Sequence, residues 1–279
     1  MKKLLIAMFL SALAIYGWAA MSDYSFEQNA ATYTELTAPT VIHGPGIDDA
    51  MSGVQEIGFS FMLDETPYTQ FKANSNGFIT LNAASSASLS NNLASQTLII
   101  AGIWDDLKTN DGDGQVAYLL SGTAPSRVLT VEYKNLKWYY NASPVNLVSF
   151  QIKLYEGSNR IEIVYGTLGT APGTSATATI GVSGAALGNF MSITPADPTA
   201  TWSTTTSFNS ISGTHVPFMQ GKKYSFIPPV PASNDLAATG ITGNLTPSVN
   251  SPTAYTVTVF NRGSKIGRAS CRERVYHPV

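Results

Sequence analysis

Four aspartates close together in the chain are the residues of this sequence best suited to hold a metal ion. Asp105 and Asp106 end an apolar run, and Asp111 and Asp113 follow within the segment Asn-Asp-Gly-Asp-Gly at residues 110–114. That segment offers hard oxygen ligands at alternate positions, as Ca²⁺ loops do, but it lacks the third alternate acid and the bidentate glutamate of a complete loop. Two interpretations remain: a Ca²⁺ site built from these four carboxylates, or a solvated turn in which aspartate side chains hydrogen-bond the backbone.

A second candidate site is the aromatic cluster Trp138, Tyr139 and Tyr140. Aromatic rings with a polar edge can stack on sugar rings, so these residues predict a ligand-binding surface. Packing in the core or at a sheet edge is the alternative.

The residues for hydrolysis are sparse. His43 and His215 are the only histidines before the last fifteen residues, and neither a nucleophile elbow nor a His-Glu-x-x-His zinc pair occurs. Glu132, Glu156 and Glu162 are candidates for a glycosidase pair. However, strand alternation predicts Glu132 and Glu162 on a solvated sheet face, so we predict a protein that is not an enzyme.

The element that must position the aspartates is the apolar run at 97–107, Thr-Leu-Ile-Ile-Ala-Gly-Ile-Trp-Asp-Asp-Leu, which predicts a central strand entering a polar loop. Around it apolar and polar residues alternate with period two, as in Ile57, Phe59 and Phe61, and helical periodicity is missing. Asn-Ser-Asn-Gly at 74–77 predicts a tight hairpin. The predicted fold is all-β, with a large β-sandwich built outward from the central strand.

Residues 150–165 predict a second hairpin with one register. Closing the chain on Glu-Gly-Ser-Asn at 156–159 pairs Leu154 with Ile161, Ile152 with Ile163 and Phe150 with Tyr165. The same register pairs Lys153 with Glu162 on the other face. Agreement between the apolar and the charged face is what specifies a strand pairing.

The N-terminus predicts export. Lys2 and Lys3 precede an apolar run at 4–18 and the small residues Ala19 and Ala20, which is the pattern of a signal peptide at 1–20. An uncleaved anchor is the alternative, but it requires about twenty apolar residues. We therefore predict a secreted, extracellular protein, either free or attached to the cell surface, whose mature chain has no transmembrane span.

The C-terminal part divides into three further segments. After a β-sandwich at 22–227, a Pro-rich linker at 228–233 leads into the strands of a second, truncated β-domain at 234–264. Residues 266–275 resemble a translated sequencing adapter, so 265–279 are predicted to be an artefact, with a basic tail as the alternative. When residues 265–279 and the signal-peptide residues Lys2 and Lys3 are left out, the 16 basic and 18 acidic side chains fall to 10 and 17. The net charge is then about −7. Nucleic acid is therefore not an expected partner.

The order of the motifs resembles a known family. About residues 71–184 of this chain resemble the nidogen-like extracellular β-domain of secreted bacterial proteins. The segments that carry the resemblance lie at 76–80, 99–107, 128–133, 150–156, 161–166 and 180–182. Residues 234–264 are similar to the start of the bacterial cell-adhesion-related (CARDB-type) Ig-like domain, with its Asn-Asp-Leu opening and its Asn-Arg-Gly turn.

These resemblances imply adhesion or surface display. The expected function is that of a non-enzymatic adhesion, binding or structural protein whose partner is an extracellular protein or a polysaccharide. The alternative is an accessory carbohydrate- or protein-binding module of a secreted hydrolase. No cofactor is expected apart from the candidate Ca²⁺.

Overall fold

The computed structural model describes residues 20–86, 90–138, 147–169, 177–229, 236–243 and 255–261. The chain divides into a compact unit, Trp18–Pro229, and a second unit that includes Val230–Val279. The predicted signal peptide up to residue 19, most of the predicted linker and the predicted artefact at 265–279 lie outside the described residues.

The described strands follow the apolar alternation of the sequence. They are β1 (Ser25–Ala30), β2 (Thr40–His43), β3 (Gln55–Leu63), β4 (Thr66–Asn74), β5 (Phe78–Thr80), β6 (Ile99–Trp104), β7 (Leu107–Thr109), β8 (Gln115–Ser121), β9 (Val128–Trp138), β10 (Leu147–Tyr155), β11 (Ile161–Leu168), β12 (Thr177–Ser183), β13 (Phe190–Thr194), β14 (Thr201–Ser203), β15 (Ile211–Ser212), β16 (Lys222–Ile227), β17 (Leu236–Gly243) and β18 (Tyr255–Asn261).

Within the described residues, the strands of the large unit form two antiparallel sheets. The first sheet has the order β1-β16-β11-β10-β9-β8-β2, with β7 also paired with β9. The second has the order β14-β13-β12-β6-β5-β4-β3, with β15 also paired with β12. The predicted all-β sandwich is confirmed, and the predicted central strand is β6, whose six residues are all buried.

A row of aromatic rings fills the inner face of the first sheet. Tyr133 stacks on Phe150 with ring centroids 4.7 Å apart, and Phe150 lies 6.3 Å from Tyr165. Tyr224 follows at 5.3 Å from Tyr165, and Phe26 at 5.6 Å from Tyr224. The row crosses β9, β10, β11, β16 and β1, so successive ring contacts tie five neighbouring strands together.

Two tyrosines of this row also bind the opposite sheet. The Tyr133 hydroxyl donates to the Phe78 carbonyl at 2.5 Å, and the Tyr165 hydroxyl donates to the Gly102 carbonyl at 2.8 Å. A Cβ on Gly102 would lie 2.2 Å from the Phe150 ring, so only glycine permits this approach of the sheets. Burial raises the pKa of both tyrosines well above the usual value, which keeps both hydroxyls protonated as donors.

Both predicted hairpins are confirmed. β10 and β11 pair Leu154 with Ile161 and Lys153 with Glu162, together with the other predicted pairs. β4 and β5 are joined at residues 74–77, where Asn74 pairs with Phe78 and Gly77 has a φ of +86°.

The prediction that Glu132 and Glu162 lie on a solvated face is wrong. Glu132 is 0% and Glu162 is 3% exposed, and Gln151 between them is also buried. Alternation places these side chains on the outer face of the first sheet, but other parts of the chain cover that face. Residues 31–36, which we call the strap, cover Glu132, and neighbouring long side chains cover Glu162.

Helices are short in the described residues. Two single 3₁₀ turns, Met21–Asp23 and Leu93–Ser95, accompany one α-helix, α1 (Val216–Met219). None of the described helices has the length and apolar character needed to cross a membrane.

The second unit contains one described hairpin. β17 and β18 pair antiparallel from Leu236 opposite Asn261 to Gly243 opposite Tyr255, with a register shift between Ala238 and Gly240. The strands predicted for this part of the chain are therefore present.

Candidate functional site

The end of the central strand places two aspartates in different surroundings. Asp105 and Asp106 lie between β6 and β7, and Asp105 Oδ1 accepts a hydrogen bond from the Asp106 backbone N–H at 2.8 Å. Burial raises the pKa of Asp105 to about 6. The pKa of Asp106 is also raised, first by burial and then by Asp49 and Asp48.

A distant segment supplies the acidic neighbours of Asp106. Among the described residues, the acidic side chains close enough to share one metal ion are Asp48, Asp49 and Asp106, with oxygens within 4.8 Å of one another. Asn76 Nδ2 donates to Asp49 Oδ1 at 2.9 Å. The Asp-Asp pair at 48–49 was visible in the sequence, but 57 positions separate Asp49 from Asp106, so spacing alone did not connect them.

Asp111 and Asp113 are engaged elsewhere. Asp111 accepts from Lys137 Nζ at 2.5 Å and lies 3.2 Å from Lys108 Nζ, and these contacts lower its pKa. Asp113 accepts from the side-chain amides of Asn110 at 2.7 Å and Asn135 at 2.8 Å. The structure therefore does not gather the four predicted ligands around one point. Calcium binding stays a prediction, and the carboxylates positioned to share an ion with Asp106 are Asp48 and Asp49.

Trp138, the first residue of the predicted aromatic cluster, does not lie at the surface. Trp138 is 1% exposed and lies at the end of β9, opposite Leu107. A bulge in β9 shifts the inward positions from Leu129, Val131 and Tyr133 to Leu136 and Trp138, which places the indole in the core. The alternative of core packing is correct for Trp138, and Tyr139 and Tyr140 lie outside the described residues.

Glu132 is the centre of a buried polar network under the strap. Its Oε1 accepts from the Tyr33 hydroxyl at 2.9 Å, the Leu36 backbone N–H at 3.1 Å and Gln151 Nε2 at 2.8 Å. Its Oε2 is buried and has no hydrogen-bond partner in the described part of the chain. Burial and the neighbouring Glu132 raise the pKa of Tyr33, so its hydroxyl remains a donor.

The other two candidate glutamates have fixed partners as well. Glu162 accepts from Lys223 Nζ at 2.6 Å and from the Tyr155 hydroxyl at 2.5 Å. Burial opposes its ionisation, but these hydrogen bonds outweigh burial and lower its pKa. Two side-chain nitrogens of Arg127 donate to the Glu156 carboxylate at 2.6 and 2.8 Å. These hydrogen bonds lower the pKa of Glu156 to about 2.

These features define an antiparallel β-sandwich in which Glu132 and Glu162 are buried and hydrogen-bonded to neighbouring strands and loops. The family described as NIDO related matches residues 23–228, and the chain belongs to that family. No curated protein and no solved structure matches the chain. The nidogen-like resemblance is confirmed for the sandwich, and a nidogen-related domain fits an extracellular binding or structural module.

Proposed function

We propose that this protein is a secreted or cell-surface adhesion or binding protein without catalytic activity, whose sandwich contacts an extracellular protein or polysaccharide. The observation that carries the proposal is membership of the NIDO-related family across residues 23–228. A rigid sandwich with an aromatic row across five strands is a suitable scaffold for binding, because loops and edges gain precision from a fixed core.

The commitments of the glutamates support the absence of catalysis. Glu156 forms a two-point ion pair with Arg127, and Glu162 is held by Lys223 and Tyr155. A glycosidase needs one carboxyl that exchanges a proton with substrate and a second that attacks or activates water. Carboxylates with lowered pKa values and fixed partners are poor proton donors at neutral pH.

Two further assignments accompany this proposal. The signal peptide at 1–20 directs secretion, and N-terminal sequencing of the exported protein should find Ala20 or Met21 as the first residue. Residues 234–264 begin a CARDB-type Ig-like domain of a bacterial adhesion protein, which the β17–β18 hairpin supports. Re-amplifying the gene from source DNA should replace residues 265–279 with sequence that continues this domain.

The sequence of the intact gene also distinguishes our proposal from the alternative function, an accessory module of a secreted hydrolase. An adhesion repeat or a sorting domain after residue 264 supports our proposal, whereas a catalytic domain supports the alternative. The activity of the chain itself is tested separately.

The direct test combines binding with turnover. The purified protein is immobilised for surface plasmon resonance with extracellular-matrix proteins and polysaccharides, and is assayed in parallel on chromogenic glycosides and esters. We expect saturable binding without turnover. The Ile152→Asp variant is the unfolded control, because Ile152 is fully buried between Val131 and Ile163. Turnover that Glu162→Gln abolishes, or binding that Ile152→Asp retains, would overturn the proposal.

A further inference from the structure

Ser149 lies between two β-bulges, one in each neighbouring strand. On β9 the pairing passes from Phe150–Tyr133 to Val148–Leu136, so two residues, Lys134 and Asn135, face the single Ser149. On β11 it passes from Phe150–Tyr165 to Val148–Leu168, so Gly166 and Thr167 face Ser149 from the other side. A bulge bends its strand and redirects side chains. Here the two bulges border a depression in the outer face of the sheet, lined by Asn135, Ser149 and Thr167.

The strap forms one wall of this depression. The Tyr33 hydroxyl is bound by Glu132, and Gln151 Nε2 donates to the Thr34 carbonyl at 2.8 Å. A Cβ on Gly166 would lie 2.7 Å from the Tyr33 ring, so the ring rests directly on the bulge of β11. Because Glu132 takes the hydroxyl, the ring is the part of Tyr33 that remains for a ligand.

Between strap and bulges lies a cavity of about 470 Å³, within the size range of small-molecule sites. The described residues that line it are Tyr33, Glu35, Asn135, Leu147, Ser149, Thr167 and Gly169. They supply the hydroxyls of Ser149 and Thr167, an amide and a carboxylate, together with the Tyr33 ring and one aliphatic side chain.

The polar groups of the lining are held in place before any ligand arrives. Ser149 Oγ accepts from the Asn135 backbone N–H at 3.0 Å and donates to Asn135 Oδ1 at 3.3 Å. Asn135 Nδ2 in turn donates to Asp113 Oδ2 at 2.8 Å. Fixed polar groups lose little conformational entropy on binding, which favours recognition of small polar ligands.

The charges at the cavity favour a neutral ligand. Glu35 is paired with Lys134 at 2.7 Å, so these two charges, which the described residues place at the rim, neutralise each other. Glu132, whose Oε2 has no hydrogen-bond partner among the described residues, lies behind the strap and disfavours an anion near Tyr33. A neutral sugar has hydroxyls for the polar groups and an apolar face for the ring, which matches both halves of the lining.

We propose that this cavity binds one neutral sugar unit of an extracellular polysaccharide or glycoprotein. The inference rests on the proposed binding function and names its ligand class. It places the sugar contact on Tyr33, Asn135, Ser149 and Thr167, not on the aromatic cluster that begins at Trp138.

Saturation-transfer NMR with glucose, galactose, mannose and N-acetylglucosamine tests the proposal, with glucuronate as the anionic probe. We expect transfer to at least one neutral sugar at millimolar concentration and at least tenfold weaker transfer in Thr167→Trp, because Thr167 is exposed at the cavity and the indole would fill it. Thr40→Trp, at an exposed threonine of β2 in the same sheet, is the matched control and should keep the signal.

A second variant removes a contact without filling the cavity. Asn135 has a φ of +52°, which glycine adopts without strain, so Asn135→Gly deletes the amide with little change in backbone conformation. We expect several-fold weaker transfer. No transfer to any neutral sugar, stronger transfer to glucuronate, or full transfer in Thr167→Trp would each overturn the proposal. If binding to extracellular surfaces persists in those cases, the proposed function stands and only this site is wrong.

Discussion

Glu132 and Asp111 are both carboxylates with several hydrogen-bond or ion-pair partners, yet they lie in opposite environments. Glu132 is fully buried and receives two side-chain donors and one backbone donor under the strap. The Asp111 side chain is 58% exposed, and its ion-pair partners among the described residues are Lys108 and Lys137.

The difference shows that the surroundings of a carboxylate decide its role, whereas its position in a sequence pattern does not. The strand alternation around Glu132 predicted solvent, but the carboxylate now joins the strap to the sheet. The acid-rich loop around Asp111 predicted a metal ion, which stays a prediction, and two lysines lie beside this carboxylate. The four predictions below test this contrast, in order of decreasing expected effect.

Glu132→Ala should give the largest loss of stability. It removes the acceptor of three hydrogen bonds, two from the part-buried Tyr33 and Leu36 and one from the buried Gln151, so the free energy of unfolding should fall by about 3 kcal/mol in urea denaturation. Glu132→Gln retains an acceptor oxygen and should lose far less. The exposed Glu56, bonded only to Gln70 in the described residues, is the control, and Glu56→Ala should change stability by about 0.5 kcal/mol or less. Equal losses for Glu132→Ala and Glu56→Ala would contradict the buried network.

Calcium should raise the melting temperature if the acidic residues bind it. A ligand at 100 times its dissociation constant adds about 2.7 kcal/mol to the folded state. Melting curves in calcium and in chelator should differ, and Asp106→Asn should reduce that difference because Asp106 adjoins Asp48 and Asp49. Asp111→Asn should leave it unchanged. The reverse result would restore the loop at 110–114 as the site, and superimposed wild-type curves would rule out calcium.

Asp105→Asn should stabilise the protein above pH 6. The folded-state pKa of about 6 exceeds the unfolded value of 3.8, so the folded state binds more protons between these values. Wild-type stability therefore declines as the pH rises from about 4 to 6, whereas asparagine does not titrate. At pH 7 the free energy of unfolding of the variant should exceed that of the wild type by up to about 2 kcal/mol, after allowance for the partial exposure of Asp105. This difference should shrink towards pH 4. A gain that is independent of pH would show that Asp105 is not the titrating group.

Asp111→Asn should have the smallest effect on stability. Lys137 and Lys108 lower the pKa of this exposed carboxyl, so its contribution is present above pH 3.8 and is lost as the pH falls further. Salt should screen the ion pairs, so wild type and variant should melt at nearly the same temperature at high ionic strength. A large difference that persists in high salt would place Asp111 in a buried role.

Local sequence was sufficient for the hairpins and the central strand. The β10–β11 register was predictable because turn residues, apolar pairs and a charge pair all lie within sixteen residues. The turn before Phe78 was predictable because Gly77 tolerates a positive φ. β6 was predictable because its apolar run is continuous, whereas a strand with one solvated face alternates apolar and polar residues.

Only part of the candidate site was predictable in this way. Asp106 was identified, but its partners were not, because Asp48 and Asp49 come from another part of the chain. Trp138 was identified as a candidate ligand-binding aromatic, but its burial depends on a bulge at Lys134 and Asn135 inside the strand, which apolar alternation alone does not reveal.

The sequence by itself determined the central strand, the two hairpins, the all-β class and the nidogen-like family, because these depend on alternation and on short motifs. The tertiary structure alone decided which polar side chains are buried. Tyr33 and Glu132 are separated by 99 positions, and their hydrogen bond exists only because the strap returns across the outer face of the sheet. Alternation specifies which side of a strand a residue occupies, but whether that side meets water depends on what the rest of the chain places over it.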